Sequence, residues 1–353
     1  MAVDGSTPAH VGSDAAGRPQ VSKNRWKEIA AAGGRIAGVA KFTHRQTGKD
    51  IAIDLCFSRP DNVRERDKSL AKIKMSPSVV ECKLWHGVPG VEVGRLLATF
   101  TFVIPYLKQA ELNGGFEISL GDVGLERTLS FSASTPDFLV PDPDFIRARA
   151  YVNERRLFET APPWEQRADM LYWRGTDTGV NRYFNIEDAP RVVICRLGRQ
   201  HPHLVNAAIT AIQGKVAARH DHYRRNSYLG PREDQLEILK YRYQIDIDGN
   251  ASAWSGLFLK LMSGSPVLKV NSELNWRQWY YNDLIPWTHY VPVLADQSDL
   301  VEKLQYLRAR PAHAKRIGKA GRAFALARTL RSEIPQAVQT VASLVTLNRR
   351  VSK

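Results

Sequence analysis

The chain has 353 residues, 43% of them hydrophobic and 24% charged, with 50 Lys and Arg against 36 Asp and Glu for a formal net charge of +14. That length suits about two domains, each with its own core, and the composition is that of a soluble globular protein. The positive excess favours anionic partners such as phosphorylated donors, nucleic acid or an acidic membrane surface, and no apolar run is long enough for a membrane span.

In chain order, residues 1–22 lack periodicity and are expected to be a disordered tail. No basic start followed by an apolar core is present, so no secretory signal is expected. Cys56, Cys82 and Cys195 are few and far apart, which predicts reduced thiols in a cytoplasmic setting. Asn24–Ile36 reads as a short helix, and Val39–Phe57 as a hairpin around Thr47-Gly48. Val93–Leu112 has helical periodicity, interrupted at Pro105, with Asn113-Gly114-Gly115 as its C-cap. Short strands are expected at Phe116–Leu120 and Thr128–Ser132, then a loop over Pro136–Phe145 and a strand at Met170–Trp173.

Beyond Pro190 the texture alternates more regularly. Strands are predicted at Arg191–Leu197, Tyr241–Ile247, Pro266–Val270 and His289–Leu294, and helices at Ser252–Met262, Gln297–Arg308 and Ala312–Leu330. Such alternation implies an α/β fold with a largely parallel sheet covered on both faces. The expected layout is the tail 1–22, an N-terminal domain 23–189, a C-terminal domain 190–335 and a C-terminal helix or tail at 336–353.

Two segments share one shape. Tyr172-Trp173-Arg174-Gly175-Thr176-Asp177-Thr178-Gly179, with Arg182 close behind, and Asp246-Ile247-Asp248-Gly249-Asn250-Ala251-Ser252 each run from a strand into Gly and small hydroxyl residues before helix-compatible sequence. A backbone of that kind approaches phosphate oxygens closely, with amides and Arg supplying positive field. Two such loops on a basic chain suggest a nucleotide-linked substrate held between two halves.

These blocks, together with Gly121-Asp122, Leu129-Ser130-Phe131-Ser132, Ser263-Gly264-Ser265-Pro266, Trp279-Tyr280-Tyr281 and Pro286-Trp287-Thr288-His289-Tyr290-Val291-Pro292-Val293, resemble glycosyltransferase family 90. The likeness is strongest over residues 116–325. It implies two Rossmann-like domains facing a cleft (the B-type glycosyltransferase fold), a UDP-sugar bound in the C-terminal half, inversion at the anomeric carbon and no required metal or other cofactor. One departure stands out. Several relatives carry an Arg in the helix after the second glycine loop, where this chain has Trp254-Ser255-Gly256.

Inversion needs a base for the acceptor hydroxyl and positive charge around the departing diphosphate. The resemblance assigns the base to Asp122; a turn aspartate bonded to its own backbone is the plain alternative. Donor contacts are expected from Arg174, Gly175, Thr176 and Arg182, from Asp248, Gly249, Asn250, Ala251, Ser252, Ala253, Trp254, Ser255 and Gly256, and from Glu273. Against these stand an ion pair for Arg174, helix capping by Ser252 and a helix-start carboxylate for Glu273.

Asp246 and Asp248, two apart on a strand, can reach one cation, but a structural or ribose-contacting role is expected for Asp248. His220 and His222 lack further ligands and are assigned no metal. The basic run Lys315–Arg331, with Ile317, Phe324 and Leu326, suggests docking on an anionic membrane face, or else packing on the domain.

The expected activity is therefore transfer of glucose or xylose from a UDP-sugar to a glycan or glycolipid acceptor, such as a lipopolysaccharide or capsule precursor. A nucleic-acid-binding protein, for which no recognition motif appears, and a catalytically silent nucleotide-sugar binder are the alternatives.

Overall fold

The computed structural model describes residues 35–43, 50–58, 69–76, 79–85, 91–96, 98–99, 113–135 and 137–351. It divides into two units, residues 1–147 with 330–353, and residues 148–329. The tail expected at 1–22 and most of the helix expected at 24–36 lie outside the described residues, and Arg35 already begins a strand.

The first unit holds a five-stranded sheet in the order β1-β2-β4-β3-β5, from β1 (Arg35–Thr43), β2 (Asp50–Ser58), β3 (Leu70–Met75), β4 (Val79–Trp85) and β5 (Gly114–Ser119). β1 and β2 pair antiparallel, as the predicted hairpin requires, with its turn outside the described residues. β3 pairs antiparallel with both β4 and β5, and β2 with β4 is parallel. This sheet is thus not a parallel Rossmann-type sheet. The links between β1 and β2 and between β3 and β4 are far too short for the helical crossover that parallel neighbours need.

The residue pattern agrees. Ala71, Ile73 and Met75 alternate with exposed Lys72 and Lys74, as do Val80, Cys82 and Leu84 with Glu81 and Lys83, so one face is buried and the other largely wet. Lys72 and Glu117, directly opposite each other on β3 and β5, form an ion pair at 3.1 Å.

Other local expectations shift. Helix occupies 91–96 and 98–99, while 100–112 are outside the described residues. Gly114 and Gly115 open β5, and the end of the expected helix lies outside the described residues. Thr128–Ser132 contributes isolated bridges, Leu129 to Ile118 and Ser130 to Leu139. The loop expected to reach Phe145 ends earlier, because Asp142 Oδ1 accepts from the amides of Asp144 and Phe145, both at 2.9 Å, and starts a short helix, Pro143–Arg147.

The second unit is Rossmann-like. β6 (Ala168–Thr176), β7 (Val205–Ala211), β8 (Tyr241–Asp246), β9 (Val267–Val270) and β10 (Val291–Val293) form one parallel sheet in the order β10-β9-β8-β6-β7. All four residues of β9 are buried, the mark of a strand covered on both sides. Its longer helices are α1 (Pro190–Gln200), α2 (Ala217–Arg225), α3 (Trp254–Met262), α4 (Leu300–Ala309) and α5 (Pro311–Ala327); the last helix, α6 (Leu330–Val351), returns to the first unit. There Ala337, Val341, Leu344 and Val345 are buried, and Asn348 donates to the carbonyl of Gly115 at 3.4 Å.

Two sequence expectations are corrected. Arg191–Leu197 is not a strand but the body of α1: Pro190 sits in the first turn, where its missing N–H costs nothing, and Val192, Val193, Ile194 and Cys195 bury into the core. The domain boundary expected near 189 falls inside the second unit, since β6 is an inner strand of the parallel sheet. Among the described residues no helix is long and apolar enough to cross a membrane.

Candidate functional site

Counting within the second unit, its strands run 2-1-3-4-5 across the sheet. The chain leaves β6 toward β7 on one side and β8 toward β9 on the other, so the point where strand order reverses lies between β6 and β8. In open α/β sheets, ligands bind beyond the carboxyl ends of the strands at this point. Both glycine loops are here: the first runs from the end of β6, at Gly175 and Thr176, through Arg182, and the second, 247–253, follows β8.

The loops are packed directly against each other. The amide of Gly179 donates to Asn250 Oδ1 at 3.0 Å, and Arg182 Nη2 donates to the carbonyl of Gly249 at 2.9 Å. The Arg182 guanidinium also lies 4.5 Å from the Trp276 ring centre. Gly179 has φ +87°, and a Cβ there would stand 2.5 Å from the Gly249 carbonyl oxygen; one on Gly249 would stand 2.3 Å from Thr178 Oγ1. Glycine is required at both positions by contact.

Arg191, at the start of α1, fastens this junction. It donates to the carbonyls of Thr176 (2.8 Å), Ile247 (3.0 Å) and Asp248 (3.0 Å) and to Thr178 Oγ1 (2.5 Å). Burial pushes its pKa down to about 10, against the pull of Asp246, Asp248 and Asp177, and it stays charged at neutral pH. Asp177, fully buried, anchors the first loop from behind, accepting from the Gln213 amide (2.6 Å), Arg219 (2.7 Å) and Tyr223 (3.1 Å). Neither Arg191 nor Asp177 stood out in the sequence. A Pro-Arg pair placed for a helix start was the available signal for Arg191.

A cavity of about 400 Å³ adjoins the first loop, lined among others by Arg174, Gly175, Thr176, Arg232, Gln244 and Lys260. Arg174 is largely engaged: it donates to Asn206 Oδ1 at 2.9 Å and pairs with Glu233 at 2.9 Å, which is the ion-pair alternative for this residue. Arg182, Asp248 and Glu273 line a separate narrow crevice with Trp276 and Ser272. Tyr183 donates to Glu273 Oε2 at 2.6 Å, and burial together with this bond raises the phenol to about 12.

Asp246 and Asp248 do share a cation, and it is a lysine. Lys269 is directly opposite Asp246 in the β8–β9 register, with Nζ 3.4 Å from Asp246 and 3.9 Å from Asp248. Lys260 Nζ holds the other Asp246 oxygen at 2.8 Å. Burial would raise the Asp246 pKa, but the two lysines outweigh it and hold it below the usual carboxylate value. Asp248 is raised, because burial prevails over Lys269 and Ser272.

At the start of α3 the N-cap is Ala253, which has no side-chain acceptor, so Ser252 is not the cap. Ala251 and Ser252 of the second loop are buried, and Trp254, Ser255 and Gly256 form the first turn. A Cβ on Gly256 would meet only ordinary contacts, Ala253 Cβ at 3.4 Å and Lys260 Nζ at 3.6 Å. The position where the resemblance expects Arg is thus open and borders an ammonium group.

In the first unit, Asp122 follows β5 and pairs through Oδ1 with Arg95 Nη2 at 2.9 Å, its side chain 39% exposed. Arg95 Nη1 also donates to the Leu120 carbonyl at 2.8 Å, which fixes the loop and the carboxylate together. Glu92, beside them, is raised by burial. Arg95 and Glu92 were not foreseen; their sequence separation from Asp122 hides the link.

Several remaining expectations resolve as packing. His222 bonds Glu187 at 2.6 Å on α2. Ile317 and Phe324 of α5 are buried, as in the packing alternative for that helix, and Leu326 is half-buried. Lys315 pairs with Glu165, and Arg155 donates to the carbonyls of Ala325 (3.2 Å), Leu326 (2.8 Å) and Arg328 (2.5 Å), closing the end of α5.

The sequence resembles protein O-glucosyltransferase 2 of Danio rerio, 28% identical over 67% of this chain and 48% of that protein. It also resembles protein O-glucosyltransferase 1 of Rattus norvegicus, 32% identical over 46% of this chain and 38% of that protein. The chain thus spans about half, or less, of the length of these relatives. Among solved structures, HepE of Anabaena in complex with UDP and glucose is 11% identical, with a TM-score of 0.35 over 54% of this chain and 53% of that one. The model of glycosyl transferase family 90 matches residues 139–335, more than half of the sequence and both glycine loops, and the chain belongs to that family.

Proposed function

We propose that this protein transfers a sugar, glucose or xylose, from a UDP-sugar to an acceptor hydroxyl with inversion at the anomeric carbon. The observation that carries the reading is the meeting of two glycine loops at the switch point of a parallel sheet, clamped by Arg191. Family membership supports sugar transfer, and the loop composition supports a nucleotide diphosphate as the leaving group.

In this reading the backbone of 175–179 and 249–253, the first turn of α3 and Arg182 receive the diphosphate, where negative charge grows in the transition state. Asp248 accepts ribose hydroxyls, and Glu273 a hydroxyl of the sugar. Asp122 takes the proton of the attacking hydroxyl, with Arg95 orienting it. The reading assigns no metal, and lysine ammonium groups beside Asp246 and Asp248 are in keeping with that. The acceptor is a lipopolysaccharide or capsule-type glycan precursor, and the setting is cytoplasmic.

Incubation with labelled UDP-glucose and UDP-xylose, with and without such precursors, tests the reading. Transfer, or slow hydrolysis of one donor without acceptor, is the expected result. Neither binding nor hydrolysis across the UDP-sugars would count against it.

A further inference from the structure

The buried charges behind the second loop do not balance. Asp246 and Asp248 supply two negative charges, whereas Lys260, Lys269 and Arg191 bring three positive ones. Lys269, 8% exposed in an otherwise apolar strand, is within reach of both carboxylates and is fixed there by the β8–β9 register. Arg191 spends its donors on the backbone of both loops and on Thr178. Of the two lysines, Lys260 has Asp246 as its one carboxylate, at 2.8 Å, and shares it with Lys269, which also reaches Asp248.

Lys260 also differs in where it stands. It lines the cavity of about 400 Å³ beside Gly175 and Thr176 of the first loop. Its ammonium is 3.6 Å from the point a Cβ on Gly256 would occupy, so it lies along the first turn of α3. Helix dipole, first-turn amides and ammonium are therefore positive at one place, balanced by a carboxylate that has a second lysine of its own. An anion entering this space gains Lys260 without stranding Asp246, which Lys269 continues to hold.

We propose that Lys260 is the side chain that neutralises the donor diphosphate, reaching it through the space left open at Gly256. This rests on the donor reading above and deepens it: that reading names the loops and Arg182, and this one names the residue that distinguishes a diphosphate from an uncharged nucleoside.

The test uses UDP and uridine as probes, titrated by calorimetry into the full chain. Wild type is expected to bind UDP more tightly than uridine. Lys260→Met should weaken UDP about 10- to 100-fold, the size of a lost hydrogen bond to a charged group, and leave uridine unchanged. Adding Gly256→Arg to Lys260→Met should recover most of the UDP affinity, since the site has room for the side chain. Lys260→Met combined with Asp246→Asn removes any stranded charge and serves if the single variant folds poorly. Equal UDP affinity in wild type and either Lys260 variant overturns the inference while the donor reading stands. Absence of UDP binding by wild type removes both.

Discussion

Arg191 donates through Nε to the carbonyl oxygen of Asp248 at 3.0 Å, joining the helix after the first glycine loop to the second loop 57 residues later in sequence. Three further donations, to Thr176, Thr178 and Ile247, come from the same guanidinium. A planar five-donor fork suits this arrangement, and a lysine cannot reproduce it. Arg191→Lys is expected to cost about 2–4 kcal/mol, because several buried carbonyls lose their donor at once. A chemical denaturation series would show it. A midpoint within error of wild type would mean the clamp is dispensable.

The contact between the loops makes a second prediction about glycine. Gly179→Ala and Gly249→Ala each force a methyl against backbone or Thr178, at 2.5 Å and 2.3 Å, and should destabilise by about 1–3 kcal/mol while weakening UDP binding. Gly256→Ala meets contacts of 3.4 Å and more and lies in the first turn of α3. It should be neutral or stabilise by up to ~1 kcal/mol. Thermal melts of the three variants separate the cases, and a tolerant Gly249 would contradict the packing described.

How much of this was legible in the sequence follows from the range of each interaction. Strand β8 and helices α3, α4 and α5 were readable because their apolar spacing is local. The strand expected at Arg191–Leu197 is a helix because Val192, Val193 and Ile194 favour a strand locally, while burial of one helical face and a first-turn Pro190 decide the outcome. β7, at Val205–Ala211, went unforeseen for the converse reason: its small residues carry little β-propensity and are held by pairing with β6. The glycine loops were recognisable by composition. Their clamp was not, since Arg191 meets main-chain carbonyls that any residue could offer. The shared lysine of Asp246 and Asp248 appears only when β8 and β9 are in register.

Those two aspartates should respond to acid with opposite signs. Asp246 is held below its ordinary pKa, so its ionised form stabilises the fold at neutral pH and that contribution is lost as pH falls through its folded value. Asp248 is raised, so its ionised form is penalised in the fold above its folded pKa, and the penalty disappears on acidification. Asp246→Asn should therefore lower Tm at pH 7 and Asp248→Asn raise it; the Asp248 difference shrinks as pH falls toward 4, while the Asp246 difference persists there and is lost only below the ordinary carboxylate range. Melting curves across that range check the pair. Shifts of the same sign would show that Lys269 does not divide its charge between them in the way the 3.4 Å and 3.9 Å separations indicate.

For the chemical step, the Arg95 pairing makes Asp122 testable apart from donor binding. Asp122→Asn keeps the loop's shape and its hydrogen bonding to Arg95 but removes the basic oxygen. It should lower kcat for transfer by about 100-fold or more and leave the Kd for UDP unchanged, since the glycine loops belong to the other unit. Arg95→Met should give a smaller fall in kcat, because the carboxylate survives and loses its orientation along with the Arg95 bond to the Leu120 carbonyl. Measuring kcat and the Kd for UDP in both variants separates the roles: the Asn variant loses turnover with donor binding intact, and the Arg95 variant loses less of it. If Asp122→Asn turned over at the wild-type rate, the base would have to be sought elsewhere, and Glu92, raised by burial beside the same arginine, is the next group to replace.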